Sequence, residues 1–124
     1  MALKNAEAPT FASDVRSGIT IVDFWAPWCG PCRAFAPTFV AAAARHPNVT
    51  FLKVNTDDEP GLGETFKIRS IPTIMAFRDG VPLFSQPGML GAADLDRLVE
   101  AVAKVDMAEV QRKMREHDGA SPLR

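Results

Sequence analysis

Cys29 and Cys32 stand three positions apart in the stretch WAPWCGPCR, with Gly30 and Pro31 between them, and the chain has no other cysteine. Thiols this close suit three kinds of chemistry: a structural cross-link, half of a tetrahedral metal site, or a dithiol that makes and breaks its own bond. A closed zinc site wants four ligands, and the two histidines, His46 and His117, sit alone in unrelated segments. A cross-link over so small a loop removes little entropy from the unfolded chain, and a reducing cytosol would not maintain it. Redox exchange is what remains.

Two elements must position this pair. ITIVDFWA, Ile19 to Ala26, is β-branched and aromatic with almost no polar alternation, the pattern of a central strand buried on both faces. CGPCRAFAPTFVAAAARH then carries Phe35, Phe39, Val40 and Ala43 at helical spacing, ends at His46-Pro47 and holds Pro37, which should kink it. Cys29 therefore falls at a helix amino terminus, where free N–H groups and the macrodipole favour a thiolate. This makes Cys29 the nucleophile, and Cys32, one turn inside, the resolving thiol. Pro31 belongs in the first helical turn, where its missing N–H costs nothing, and Gly30 leaves the approach uncluttered.

The remaining pattern supplies a scaffold. Thr10 is placed to cap a short helix with Phe11 and Val15 on its apolar side, stopped by Gly18. VTFLKVNTD, Val49 to Asp57, reads as a second buried strand, and a weak helix is expected from Leu62 to Lys67. TIMAFRDGVPLFS reads as a hairpin turning at Asp79-Gly80, with Pro82 confining its second strand to a sheet edge. Leu95, Leu98, Val99 and Val102 make one helix face. The order implies an α/β fold with a central mixed β-sheet flanked by helices on both faces. Beyond Val105, Asp106 is placed to cap a further helix, with Glu109 at the capping-box position and Val105 and Val110 as a staple. Val110 and Met114 give this helix a thin apolar stripe, ending at Asp118-Gly119. The expected division is a domain over 1–105 and an extension over 106–124, a short helix with a disordered end.

Composition narrows the function classes. Fourteen Lys and Arg balance fifteen Asp and Glu without a basic cluster, which argues against nucleic acid as a partner. MALKNAEAPT lacks an apolar leader region, and no later run is long enough to span a bilayer, so a soluble, cytoplasmic protein is expected; it is taken to be a monomer. Asp57, Asp58 and Glu59 read as a solvated turn, without the spacing of a calcium loop.

WAPWCGPCR after VDF, a proline in the following helical turns and Ile71-Pro72-Thr73 farther along together resemble the thioredoxin family, over a match from about Phe11 to Val105. The resemblance implies the thioredoxin fold and further roles. Asp23 matches a buried aspartate that moves a proton to or from the resolving cysteine, and Lys53 a lysine near it. A carboxyl group in an apolar strand should have a raised pKa, as proton exchange near neutrality requires. Pro72 matches a cis-proline against the cysteine pair, leaving the Ile71 backbone free to pair with an extended substrate. Trp28 would offer a flat apolar contact, Trp25 would pack within the fold, and Gly88 would line the substrate groove.

Three features depart from the family pattern: LKNAE is a poor first strand, implying a short or missing sheet edge; Pro82 and Pro87 crowd the last strand; and the resemblance ends near Val105. The implied activity is that of a protein disulfide reductase cycling between the dithiol and the Cys29–Cys32 disulfide, with no other cofactor and no metal. Its partners would be disulfide-containing client proteins and an NADPH-dependent thioredoxin reductase as electron donor. The Gly-Pro pair between the cysteines resembles the reducing members of the family. The alternative is a binding or chaperone module working through its groove and tail, which would survive replacement of both cysteines by serine.

Overall fold

The strand that reads as most buried in the sequence is the middle of the sheet. In the computed structural model, which describes residues 3–120, β1 (Leu3–Asn5), α1 (Ala8–Asp14), β2 (Ile19–Trp25), α2 (Gly30–Arg45) and β3 (Thr50–Asn55) are followed by α3 (Pro60–Thr65), β4 (Thr73–Arg78), β5 (Val81–Pro87), α4 (Ala92–Ala103) and α5 (Met107–Ala120). The strand order is β1-β3-β2-β4-β5. β1 and β2 run parallel to β3, whereas β4 is antiparallel to both β2 and β5.

Side chains alternate across the sheet and meet a different helical layer on each face. Ile21, Phe51 and Ile74 pack with Phe35 and Phe39 of α2 and with Leu95, Leu98 and Val99 of α4. Val22, Phe24, Leu52 and Val54 pack on the other face with Phe11 and Leu62. By the same alternation Asp23 shares the α2 face with Ile21.

LKN does form the outermost strand, three residues long, with Leu3 opposite Phe51. β5 is the opposite edge, as Pro82 requires, and a bulge beside Phe77 absorbs the proline. Asp79 (φ 52°) and Gly80 (φ 84°) turn the hairpin. Asp79 is also tied to Gly18, whose N–H donates to Oδ1 at 2.8 Å and whose carbonyl accepts the Asp79 N–H at 2.9 Å.

Several local expectations are corrected. Thr10 lies inside α1; Pro9 sets the first turn earlier, and the free Ala8 N–H is taken by Glu59 from across the fold, at 3.1 Å. Pro60 likewise starts α3 two residues ahead of the expected Leu62. α2 holds Pro37 within it, as expected, but Val40 is 49% exposed instead of joining the core. Asp106 does cap α5, accepting the Glu109 N–H at 3.1 Å, but the Glu109 carboxylate pairs with Arg112 and does not close a capping box. α5 also runs past Asp118-Gly119 to Ala120. The end expected to be disordered falls largely outside the described residues.

Candidate active site

β2 delivers the chain to one end of the sheet, at its centre, and α2 begins five residues after that strand ends. Cys29 is the N-cap of α2, in an extended conformation, and its Sγ accepts the Cys32 N–H at 3.2 Å. A sulfur at this point lies where the helix presents unpaired N–H groups, which favours negative charge on it. Cys29 and Cys32 are joined by a disulfide, with their Cα atoms 5.2 Å apart, and both residues are buried. Gly30 and Pro31, between them, are exposed, and a Cβ at Gly30 would meet nothing within 4 Å.

A second segment closes on the pair from the sheet. The Ile71–Pro72 peptide bond is cis, as expected, and the Ile71 carbonyl oxygen lies 3.6 Å from Cys29 Sγ. Thr73 fastens this segment by donating its hydroxyl to the Ser70 carbonyl at 2.6 Å. The Pro72 carbonyl accepts the Gly88 N–H at 2.8 Å, and Gly88 has φ 98°, a conformation that glycine adopts without strain. Gly88 therefore comes to the site, beside the cis-proline.

Trp28 is 68% exposed, and its indole N–H donates to the Asp57 carboxylate at 3.0 Å. Asn55 holds Asp57 in place by accepting its N–H at 2.9 Å. In the sequence Asp57 looks like part of a solvated turn; the signal that finds it is the parallel pairing of β2 with β3. This pairing sets Trp25 opposite Asn55 and so brings together the segments that follow the two strands. An open cleft lies between Trp28 and Ile71, floored by Thr56, Pro60, Gly63 and Ile68.

Beneath this surface Asp23 is fully buried, and neither carboxylate oxygen has a hydrogen-bond partner among the described residues. Burial pushes its pKa up to about 7, against the opposing pull of the Lys53 ammonium. Lys53 is the register partner of Asp23 across β2 and β3 and holds its Nζ 4.4 Å from the centre of the Trp25 ring. A polar recess lined by Lys53, Trp25, Asn55 and Glu59 opens to solvent beside them. Trp25 is half-buried, in keeping with a packing role. Asp23 occupies the face covered by α2, whose first turn carries Cys32.

The histidines take no part: His46 lies at the far end of α2, with Nε2 2.7 Å from the Asp96 carboxylate. Among the described residues no cluster of three or more His, Cys, Asp or Glu is placed to hold a metal ion, and no helix is long and apolar enough to cross a membrane.

The sequence model of the thioredoxin family, described as Thioredoxin, matches residues 2–104. The chain belongs to the thioredoxin family. It is similar to a putative thioredoxin 2 of Streptomyces coelicolor, 44% identical over 96 residues that cover 77% of this chain and 72% of the relative. A thioredoxin of Chlamydia trachomatis is 39% identical, covering 76% of this chain and 89% of its own length. A thioredoxin of Staphylococcus aureus is 35% identical, covering 91% and 98% respectively. A chain solved in work on thiol resolution in a yeast mitochondrial 1-Cys peroxiredoxin superposes with a TM-score of 0.73, over 80% of this chain and 94% of that one. At 21% identity that likeness concerns the fold alone. Family membership and the Cys29–Cys32 disulfide make the protein a thiol–disulfide oxidoreductase, acting as a protein-disulfide reductase.

Proposed function

We propose that Cys29 is the attacking thiolate, Cys32 the resolving thiol and Asp23 the group that exchanges a proton with Cys32. In the reduced protein, Cys29 sulfur attacks one sulfur of a client disulfide. A Cys29–client bond forms, the client S–S bond breaks, and the displaced client sulfur leaves as a thiolate that takes a proton. The Asp23 carboxylate, with a pKa of about 7, then accepts the Cys32 proton. Cys32 attacks Cys29 sulfur, the internal disulfide forms, and the second client sulfur is released. Two electrons pass from the cysteine pair to the client. The single observation that carries this assignment is the α2 amino terminus, with Cys29 Sγ accepting the Cys32 N–H.

Lys53 is a positioning residue: its charge favours the ionised form of Asp23, while its own side chain lines the recess that opens to solvent. Trp28, Gly30, Pro31, Ile71, Pro72 and Gly88 form the client-binding surface, with the backbone at Ile71 pairing with an extended client segment. The electron donor is an NADPH-dependent thioredoxin reductase, the working compartment the cytoplasm, and the disulfide the sole redox group. The catalytic domain spans 1–105 and the extension 106–124, a division supported by the family match ending at residue 104.

The test is to trap the intermediate. Cys32→Ser incubated with a disulfide-bonded client should accumulate a mixed disulfide at Cys29, seen by mass spectrometry and cleared by dithiothreitol. A mixed disulfide in Cys29→Ser and none in Cys32→Ser would reverse the two roles.

A further inference from the structure

The buried Asp23 carboxylate is faced by charge from few directions. α2, whose first turn carries Cys32, covers its side of the sheet, and α4 packs Leu95, Leu98 and Val99 on that side. Its register partners are Ile74 on β4, which is apolar, and Lys53 on β3. The recess beside Lys53 brings in three more titratable groups: Glu7, which precedes α1, and Asp58 and Glu59, which precede α3. Nothing in the thiol exchange itself calls for these carboxylates.

Lys53 stands between the two sets. Its backbone is fixed, the carbonyl accepting the Ala6 N–H at 2.8 Å, but its ammonium ends a flexible four-carbon stem and lies over the Trp25 ring. Among the described residues it is in no ion pair. An ammonium held by neither side can be drawn to either, and it favours the ionised form of whichever carboxylate takes it. At Asp23, burial holds the proton on and the Lys53 charge opposes it. Glu59 is the rim carboxylate best placed to compete for that charge. Its Oε1 is fixed by the Ala8 N–H at 3.1 Å, and it is half-buried, whereas Glu7 and Asp58 are exposed and screened by water and salt.

We infer that Glu59 is a positioning residue for the proton step: its fixed charge draws the Lys53 ammonium toward the mouth of the recess and away from Asp23. Asp23 therefore keeps its proton to higher pH and can both take and return one as Cys32 reacts. This deepens the Asp23 reading and rests on it. No bond changes at Glu59; what changes is the share of the Lys53 charge that Asp23 feels.

The experiment follows the Asp23 carboxyl carbon by NMR through a pH titration of the oxidised protein, in which neither cysteine titrates, alongside the pH profile of client turnover. Glu59→Gln removes the charge and keeps an oxygen for the Ala8 N–H. It should lower the midpoint of the Asp23 titration by about half a pH unit and move the acid limb of the turnover profile the same way. Added to Lys53→Met, the same change should move the midpoint by less than about a tenth of a unit, because the route runs through Lys53. Glu100→Gln, an equal change of net charge on α4, should move neither readout. An unmoved midpoint in Glu59→Gln would overturn the inference and leave Glu59 as a structural tie to α1. So would an equal shift with and without Lys53→Met. If Asp23 of the wild-type protein titrates in the ordinary carboxylate range, or its midpoint moves while the turnover profile does not, the proton-transfer reading of Asp23 itself fails, and this inference with it.

Discussion

The two ends of the sheet are built on opposite terms. At the far end the charged groups find partners, although the buried Thr20 hydroxyl has none among the described residues: Gly18 and Asp79 exchange two hydrogen bonds, and the Arg78 guanidinium donates to the carbonyls of Val102, Ala103 and Val105 at 3.0, 3.0 and 2.8 Å. Those bonds satisfy the carboxyl end of α4 and fix the start of the extension. At the cysteine end the fold tolerates what it corrects elsewhere. Among the described residues the buried Asp23 carboxylate and the buried Trp25 indole N–H have no hydrogen-bond partner, and Trp28 stands in solvent. One end holds the molecule together, and the other keeps stability in reserve as chemistry.

The largest test of this contrast removes the chemistry alone. Cys29→Ser should lower disulfide turnover by more than about a thousandfold in a reductase-coupled assay. A binding module would keep its function after this change. Next is Asp23→Ala, which should lower turnover yet stabilise the fold. A folded pKa of about 7 against 3.8 means that the native state holds its proton more tightly than the unfolded chain. Stability from that proton is complete below pH 3.8 and is lost as the pH rises through 7. At pH 8 the loss is roughly 4 kcal/mol, so denaturant melts should show Asp23→Ala ahead by up to that amount, with the advantage shrinking toward pH 4.

Arg78→Ala reverses the sign. Losing three charge-assisted bonds should cost about 2 kcal/mol in denaturant melts and leave turnover per folded molecule unchanged. The smallest effect sharpens the picture at the cysteine end. Asp57→Ala removes the acceptor of the exposed Trp28 indole and should cost under about 1 kcal/mol, while lowering the tryptophan fluorescence anisotropy.

What the sequence discloses follows the range of the forces involved. Cys29, Cys32 and the β2–α2 junction are local in the chain, and so are the Asp79-Gly80 turn and the apolar run of Ile19 to Ala26; each is legible because neighbouring residues decide it. Pro72 and Gly88 became legible through resemblance to a family, since nothing in their own surroundings says they meet. Asp57 against Trp28, Glu59 at the amino end of α1 and Arg78 under α4 join residues far apart in sequence, and a turn rich in acids looks the same whether or not a partner waits across it. Val40 fits the helical period of the core, but the α2 stripe that the sheet and α4 cover does not include it. α5 was expected to stop at Asp118-Gly119 on local propensity, yet it continues to Ala120.

Whether Cys29 and Cys32 form a reversible dithiol–disulfide couple is decided by an equilibrium titration of the protein against a dithiothreitol buffer. Trp25 and Trp28 supply the fluorescence signal, and thiol trapping counts the free cysteines. The protein should show one reversible two-electron transition, absent from Cys29→Ser and Cys32→Ser. A disulfide that fails to reform after reduction, or thiols that stay untitrated across the range, would contradict it.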